Sequence, residues 1–118
     1  MSIIADVVVV CVAALHVYIL VLEMFLWDKP AGLRAFGQTQ AAASASKVLA
    51  ANQGLYNGFL AAGLLWGLLL GASGTSVKVF FLSCVLVAGL FGAATANRKI
   101  LFVQAVPAAL GLSLVLLS

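Results

Sequence analysis

The chain has 118 residues, 65% of them hydrophobic and 8% charged, with a mean hydropathy of +1.25. A soluble domain of this length cannot bury that much apolar surface, so composition points to lipid as the solvent for most of it. Six basic residues against three acidic ones give +3 at pH 7. They cluster at segment ends, which excludes a nucleic-acid-binding surface.

The first segment, Ile3–Trp27, is 25 residues long, enough to cross a hydrocarbon core of ~30 Å at ~1.5 Å per residue. Met1–Val7 has no basic residue, and no small-residue cleavage pattern precedes Glu23. The segment therefore reads as a span rather than a cleavable signal. Glu23 lies near its end, where a carboxylate needs a partner, a polar cavity or the headgroups.

Asp28-Lys29-Pro30 stops the first helix, and a long connection, Asp28–Ser46, follows. Its Ala/Ser/Gln-rich end, Gln38–Ser46, suits an interfacial helix that leads into the second span. Three more apolar segments complete the pattern, at about residues 47–71, 77–96 and 100–117. Short turns at Gly71–Ser76 and Asn97–Lys99 separate them. The expected fold is all-α: an integral-membrane four-helix bundle with a long first loop, forming a single domain over residues 1–118.

Lys29, Arg34, Lys47, Arg98 and Lys99 flank the first and third connections, and only Lys78 flanks the second. Basic residues near span ends favour the cytoplasm. The expectation is a multi-pass cell-membrane protein with both termini outside.

Small residues recur along the spans. Gly54, Gly58 and Ala61 share one stripe of the second, and Gly63, Gly67 and Gly71 lie nearly opposite. Such spacing lets helices approach closely in lipid, and it suits a central helix with neighbours on both sides. A seam between two copies in a homodimer is the alternative. In the fourth span, Pro107 deprives the Val103 carbonyl of its helical donor, so a kink is expected there.

The polar residues of the spans make the candidate site. His16 and Glu23 are seven apart, on one face and about 10 Å apart along the axis. On the second span Asn52 and Tyr56 stack at i, i+4, as do Gln53 and Asn57. Glu23, Asn52, Gln53 and Gln104 are expected in one shallow layer, with Asn52 and Gln53 nearest the acid. Tyr56, Asn57 and His16 reach deeper. Bare polar groups are costly in hydrocarbon, so these should bond one another or enclose water or a ligand. The same residues fit a network that only fixes helix register, or a Glu23 paired with Lys47, Arg98 or Lys99.

Cys11 and Cys84 read as buried apolar thiols. No metal-ligand cluster, nucleophile–base pair or phosphate loop is present, so no catalytic residue, metal or cofactor is assigned.

Four stretches resemble a known family. They are Leu15-His-Val-Tyr-Ile-Leu-Val-Leu-Glu-Met-Phe-Leu-Trp27, Asn52-Gln-Gly-Leu-Tyr-Asn-Gly-Phe-Leu-Ala-Ala62, Val87-Ala-Gly-Leu-Phe-Gly92 and Gln104-Ala-Val-Pro-Ala108. Together they look like the small integral membrane family known as domain of unknown function 1304. The resemblance implies a four-helix prokaryotic or fungal membrane protein and carries no activity with it.

Three functions compete. One is binding or proton-coupled transport of a small polar or cationic solute, with ligand residues Glu23, Asn52, Gln53, Tyr56, Asn57, Gln104 and His16. Another is a membrane enzyme acting on a lipid-soluble substrate through Glu23 and His16. The third is a non-catalytic assembly or partner subunit. The expected surroundings are the bilayer and that solute, and the first reading is the one preferred.

Overall fold

A computed structural model describes residues 2–118. The described residues form five α-helices and no strand. Helix α1 is Ile3–Met24, α2 is Pro30–Phe36, α3 is Gln40–Leu69, α4 is Thr75–Thr95 and α5 is Val106–Leu117. A 3-10 turn at Gly71–Gly74 enters α4, and a π turn at Leu101–Ala105 enters α5.

The Ser2 hydroxyl caps α1 by accepting from the Ala5 N–H at 3.2 Å, satisfying one of the donors a helix start leaves open. At its other end the Phe25 and Leu26 N–H groups both donate to the Val21 carbonyl. The ladder thus loosens shortly before Pro30. The connection expected over Asp28–Ser46 is mostly helix rather than loop. Pro30 opens α2 at a position where its missing N–H is harmless. The Ala/Ser-rich run joins the second span without a break, because alanine is the best helix former and nothing from Gln40 onward interrupts the ladder.

The described residues group into two compact units. One is Leu15–Phe59, with Leu22, Ala43 and Ala50 buried inside it. The other comprises the rest, and its core is Ala5, Val9, Val12, Ala13, Leu64, Leu82, Val85, Ala108 and Val115. α1 and α3 each contribute to both units.

Small residues set the spacing within each unit. A Cβ on Gly54 would stand 2.6 Å from Met24 Cγ and 3.1 Å from Glu23 Cβ, so α3 and the end of α1 approach as only glycine permits. Further along α3, a Cβ on Gly67 would stand 2.6 Å from Lys78 Cγ. The two stripes of α3 thus serve different neighbours. Gly71 departs from the expected stripe: with φ at +62° it ends the helix in the left-handed region glycine favours.

The break around Pro107 takes the form of the π turn. The Val106 N–H donates to Leu101 O, five residues back, and the wider turn accommodates the donor that Pro107 lacks. The cysteines differ from the expectation. Cys11 is exposed and Cys84 half-buried.

Among the described residues two segments, Ile3–Met24 and Gly71–Thr95, are long and apolar enough to cross a membrane, and Leu101–Leu117 is apolar but shorter. Only 28% and 22% of the most apolar stretches of the two long segments are buried within the protein. α3 falls outside this class because Asn52, Gln53 and Asn57 interrupt its apolar half.

Candidate functional site

The polar centre of the Leu15–Phe59 unit joins the end of α1 to the middle of α3. The Asn57 side-chain amide donates from Nδ2 to Glu23 Oε1 at 2.6 Å, and the same nitrogen lies 3.1 Å from the Gln53 carbonyl oxygen. That second bond, one helical turn back along α3, fixes the amide so that it faces the acid. Gly54 supplies the room, since its missing side chain lets the Glu23 Cβ come close.

Glu23 is half-buried, next to Leu22, which is 4% exposed. Among the described residues its only polar partner is this neutral amide, and no cation pairs with it. An Asn57 amide stabilises a carboxylate by donation but does not neutralise it.

Around this pair α3 is tied twice more, to the turn that follows α1. Trp27 donates from Nε1 to Ser46 Oγ at 3.0 Å, and the Ser46 hydroxyl in turn donates to the Ala42 carbonyl at 2.8 Å. The Trp27 ring lies against Phe36 of α2, centroids 4.8 Å apart. Asp28 Oδ2 and Lys47 Nζ are 3.1 Å apart. The Lys47 ammonium beside Asp28 holds its carboxyl below the usual carboxylate range.

The remaining expected site residues are placed as follows. Asn52 and Gln53 are exposed, and the Asn52 amide donates to the Val48 carbonyl of its own helix at 2.9 Å. The amide that meets Glu23 is therefore that of Asn57, not those expected to lie nearest. Four residues from Gln53, Asn57 lies on the same stripe but one turn further in. Tyr56 is exposed beside Phe59, ring centroids 6.2 Å apart. His16 is fully buried. Gln104 is half-buried on the π turn, in the other unit.

The sequence reading missed a second polar centre. In the unit that holds the main core, Lys78 Nζ pairs with Asp6 Oδ1 at 3.3 Å, and the Lys78 side chain is 3% exposed. Taken singly, Lys78 is only the basic residue that flanks the second connection. The signal was available: each of the two is the only charge in the first turn or two of an apolar helix, where a lone charge needs a partner.

Comparison with known proteins finds similarity without an assigned activity. The chain is 29% identical over 106 residues to the "Uncharacterized protein YpaA" of Lactococcus lactis subsp. lactis (strain IL1403), covering 88% of this chain and 89% of that protein. No solved structure matches. The family described as "Protein of unknown function (DUF1304)" matches residues 10–116. With nearly its whole length matched, and with the Glu23 and Asn57 stretches inside the match, the chain belongs to that family.

Proposed function

We propose that the protein is a multi-pass membrane protein that binds a small cationic or polar solute at Glu23, exchanging it for a proton. The observation that carries this reading is the Glu23 carboxylate held by a neutral amide, with no cation beside it among the described residues. A charge left uncompensated among apolar neighbours is costly. A proton or a solute cation would relieve it, and competition between the two couples binding to pH.

The membrane setting rests on exposure. α1 and α4 carry large apolar side chains outward, among them Val7, Val10, Phe80 and Val87. A core helix of a soluble protein would hide such residues, whereas lipid accepts them. We read four spans in one membrane domain over residues 1–118. The five-to-one distribution of basic residues between connections favours both termini outside. A cysteine introduced at Gln40 should then resist impermeant reagents in intact cells, while one at Ser118 should react. The reverse pattern would overturn the orientation.

Binding is tested by thermal shift of the purified protein against a panel of organic cations and neutral polar solutes, at several pH values. A ligand should stabilise the wild type more as pH rises and leave Glu23→Gln unaffected, because glutamine keeps the Asn57 bond but carries no charge. Equal stabilisation of both would remove Glu23 from the site.

A further inference from the structure

The second polar centre is built as a site of its own. A cavity of about 60 Å³ lies against Asp6, Lys78, Thr75 and Ser118, where α1 and α4 begin and α5 ends. One water needs roughly 10–15 Å³ on this measure, so the space admits a group of several heavy atoms. Lys78 is buried beside it, its stem seated in the gap that Gly67 leaves.

The groups facing this cavity are incompletely matched. An ammonium has three donors, and Lys78 uses one, in a bond to Asp6 Oδ1 that at 3.3 Å is longer than the roughly 2.7–2.9 Å usual between charged partners. Asp6 Oδ2 and the Thr75 hydroxyl have no hydrogen-bond partner among the described residues. Donors for an oxyanion (Lys78 Nζ and Thr75 Oγ1) therefore sit beside an acceptor for an ammonium (Asp6 Oδ2). A ligand with one charge would leave half of this unmatched. Ile3, Ile4, Leu116 and Leu117 near the same helix ends are exposed and apolar, a surface suited to acyl chains.

We infer that the Asp6–Lys78 cavity binds a zwitterion in which an ammonium bearing N–H groups lies a few atoms from an acidic oxyanion, such as phosphoethanolamine, free or as a lipid headgroup. The oxyanion accepts from Lys78 and Thr75, and the ammonium donates to Asp6. A choline headgroup presents the same phosphate but no N–H donor, so the site discriminates against it.

Native mass spectrometry after exchange into an equal mixture of phosphatidylethanolamine and phosphatidylcholine reads this directly. A second arm titrates lipid-free protein with soluble phosphoethanolamine and with phosphocholine. The wild type should prefer the ethanolamine compound by about tenfold, which corresponds to ~1.4 kcal/mol. Asp6→Asn should abolish the preference while retaining binding, and Lys78→Met should abolish binding of both compounds. If Lys78→Met does not fold by circular dichroism, Asp6→Asn and Thr75→Val decide: the first must lose discrimination and the second must weaken both compounds. Preference in the lipid arm identifies a headgroup, and preference only in the soluble arm identifies a free zwitterion. No preference in either arm, or a preference that Asp6→Asn leaves intact, overturns the proposal.

Discussion

Asp6 and Glu23 are both acids on α1, and they are held in opposite ways. Asp6 faces the ammonium of Lys78, a side chain 3% exposed, and the two charges cancel. Glu23 faces the amide of Asn57 at 2.6 Å, and its charge is not cancelled. The first arrangement suits a permanent structural or ligand-holding pair, because removing Asp6 strands the buried charge of Lys78. The second suits a charge that comes and goes, because Asn57 can bond either protonation state. The compensated acid should matter most for stability, and the uncompensated one most for function.

The largest expected effect breaks the compensated pair. Asp6→Ala leaves the buried Lys78 ammonium alone and should destabilise the protein by about 3–5 kcal/mol, read from denaturation in detergent. Asp6→Asn keeps an acceptor for Nζ and should cost much less. If both variants match the wild type, Lys78 is solvated through the cavity and the pair is not structural.

Next comes the uncompensated acid. Glu23→Leu removes the acceptor of the Asn57 amide and should cost about 1–3 kcal/mol. The low end is expected because Gln53 O still accepts from Asn57. Glu23→Gln should melt close to the wild type. A loss for Gln as large as that for Leu would show that the charge itself, not the bond to Asn57, holds the fold.

A smaller effect is expected one turn beyond Glu23. Trp27→Phe keeps the contact with Phe36 but loses the bond to Ser46, and should cost about 0.5–1.5 kcal/mol. The double variant with Ser46→Ala should be no worse than Trp27→Phe alone if the bond is what matters.

The smallest effect is the Asp28–Lys47 pair, which lies partly in solvent. Lys47 lowers the Asp28 pKa in the folded state. The stabilisation is therefore present above the ordinary carboxylate pKa and is lost as pH falls through the lowered folded value. Salt should weaken it as well. Melting temperatures of wild type and Lys47→Met should converge at acidic pH, and a gap that widens there would contradict the assignment.

The helices were legible because their causes are local. Apolar runs, Pro30, Gly71 and the Asn97–Lys99 turn all act within a few residues. The continuous start of α3 was harder to see, because Gln38–Ser46 is polar enough to pass for a surface segment while its alanines favour helix. Pro107 announced a break, but only the Val106 to Leu101 bond gives it the form of a π turn. The site was legible by residue type rather than by pairing. Glu23 and Asn57 both stood out, yet depth along a helix did not reveal which of Asn52, Gln53 and Asn57 meets the acid. That depends on the close approach at Gly54. Asp6 and Lys78 are 72 residues apart, and nothing local couples them.

Exchange of a cation for a proton at Glu23 has a direct readout in proton movement across a bilayer. Wild type and Glu23→Gln, reconstituted in liposomes with a pH-sensitive dye inside, are compared under a gradient of a cation selected from the thermal-shift panel. Cation-dependent proton flux is expected in the wild type and none in a folded Glu23→Gln. Identical flux in the two proteins, or a flux absent from both although the cation binds, would contradict it.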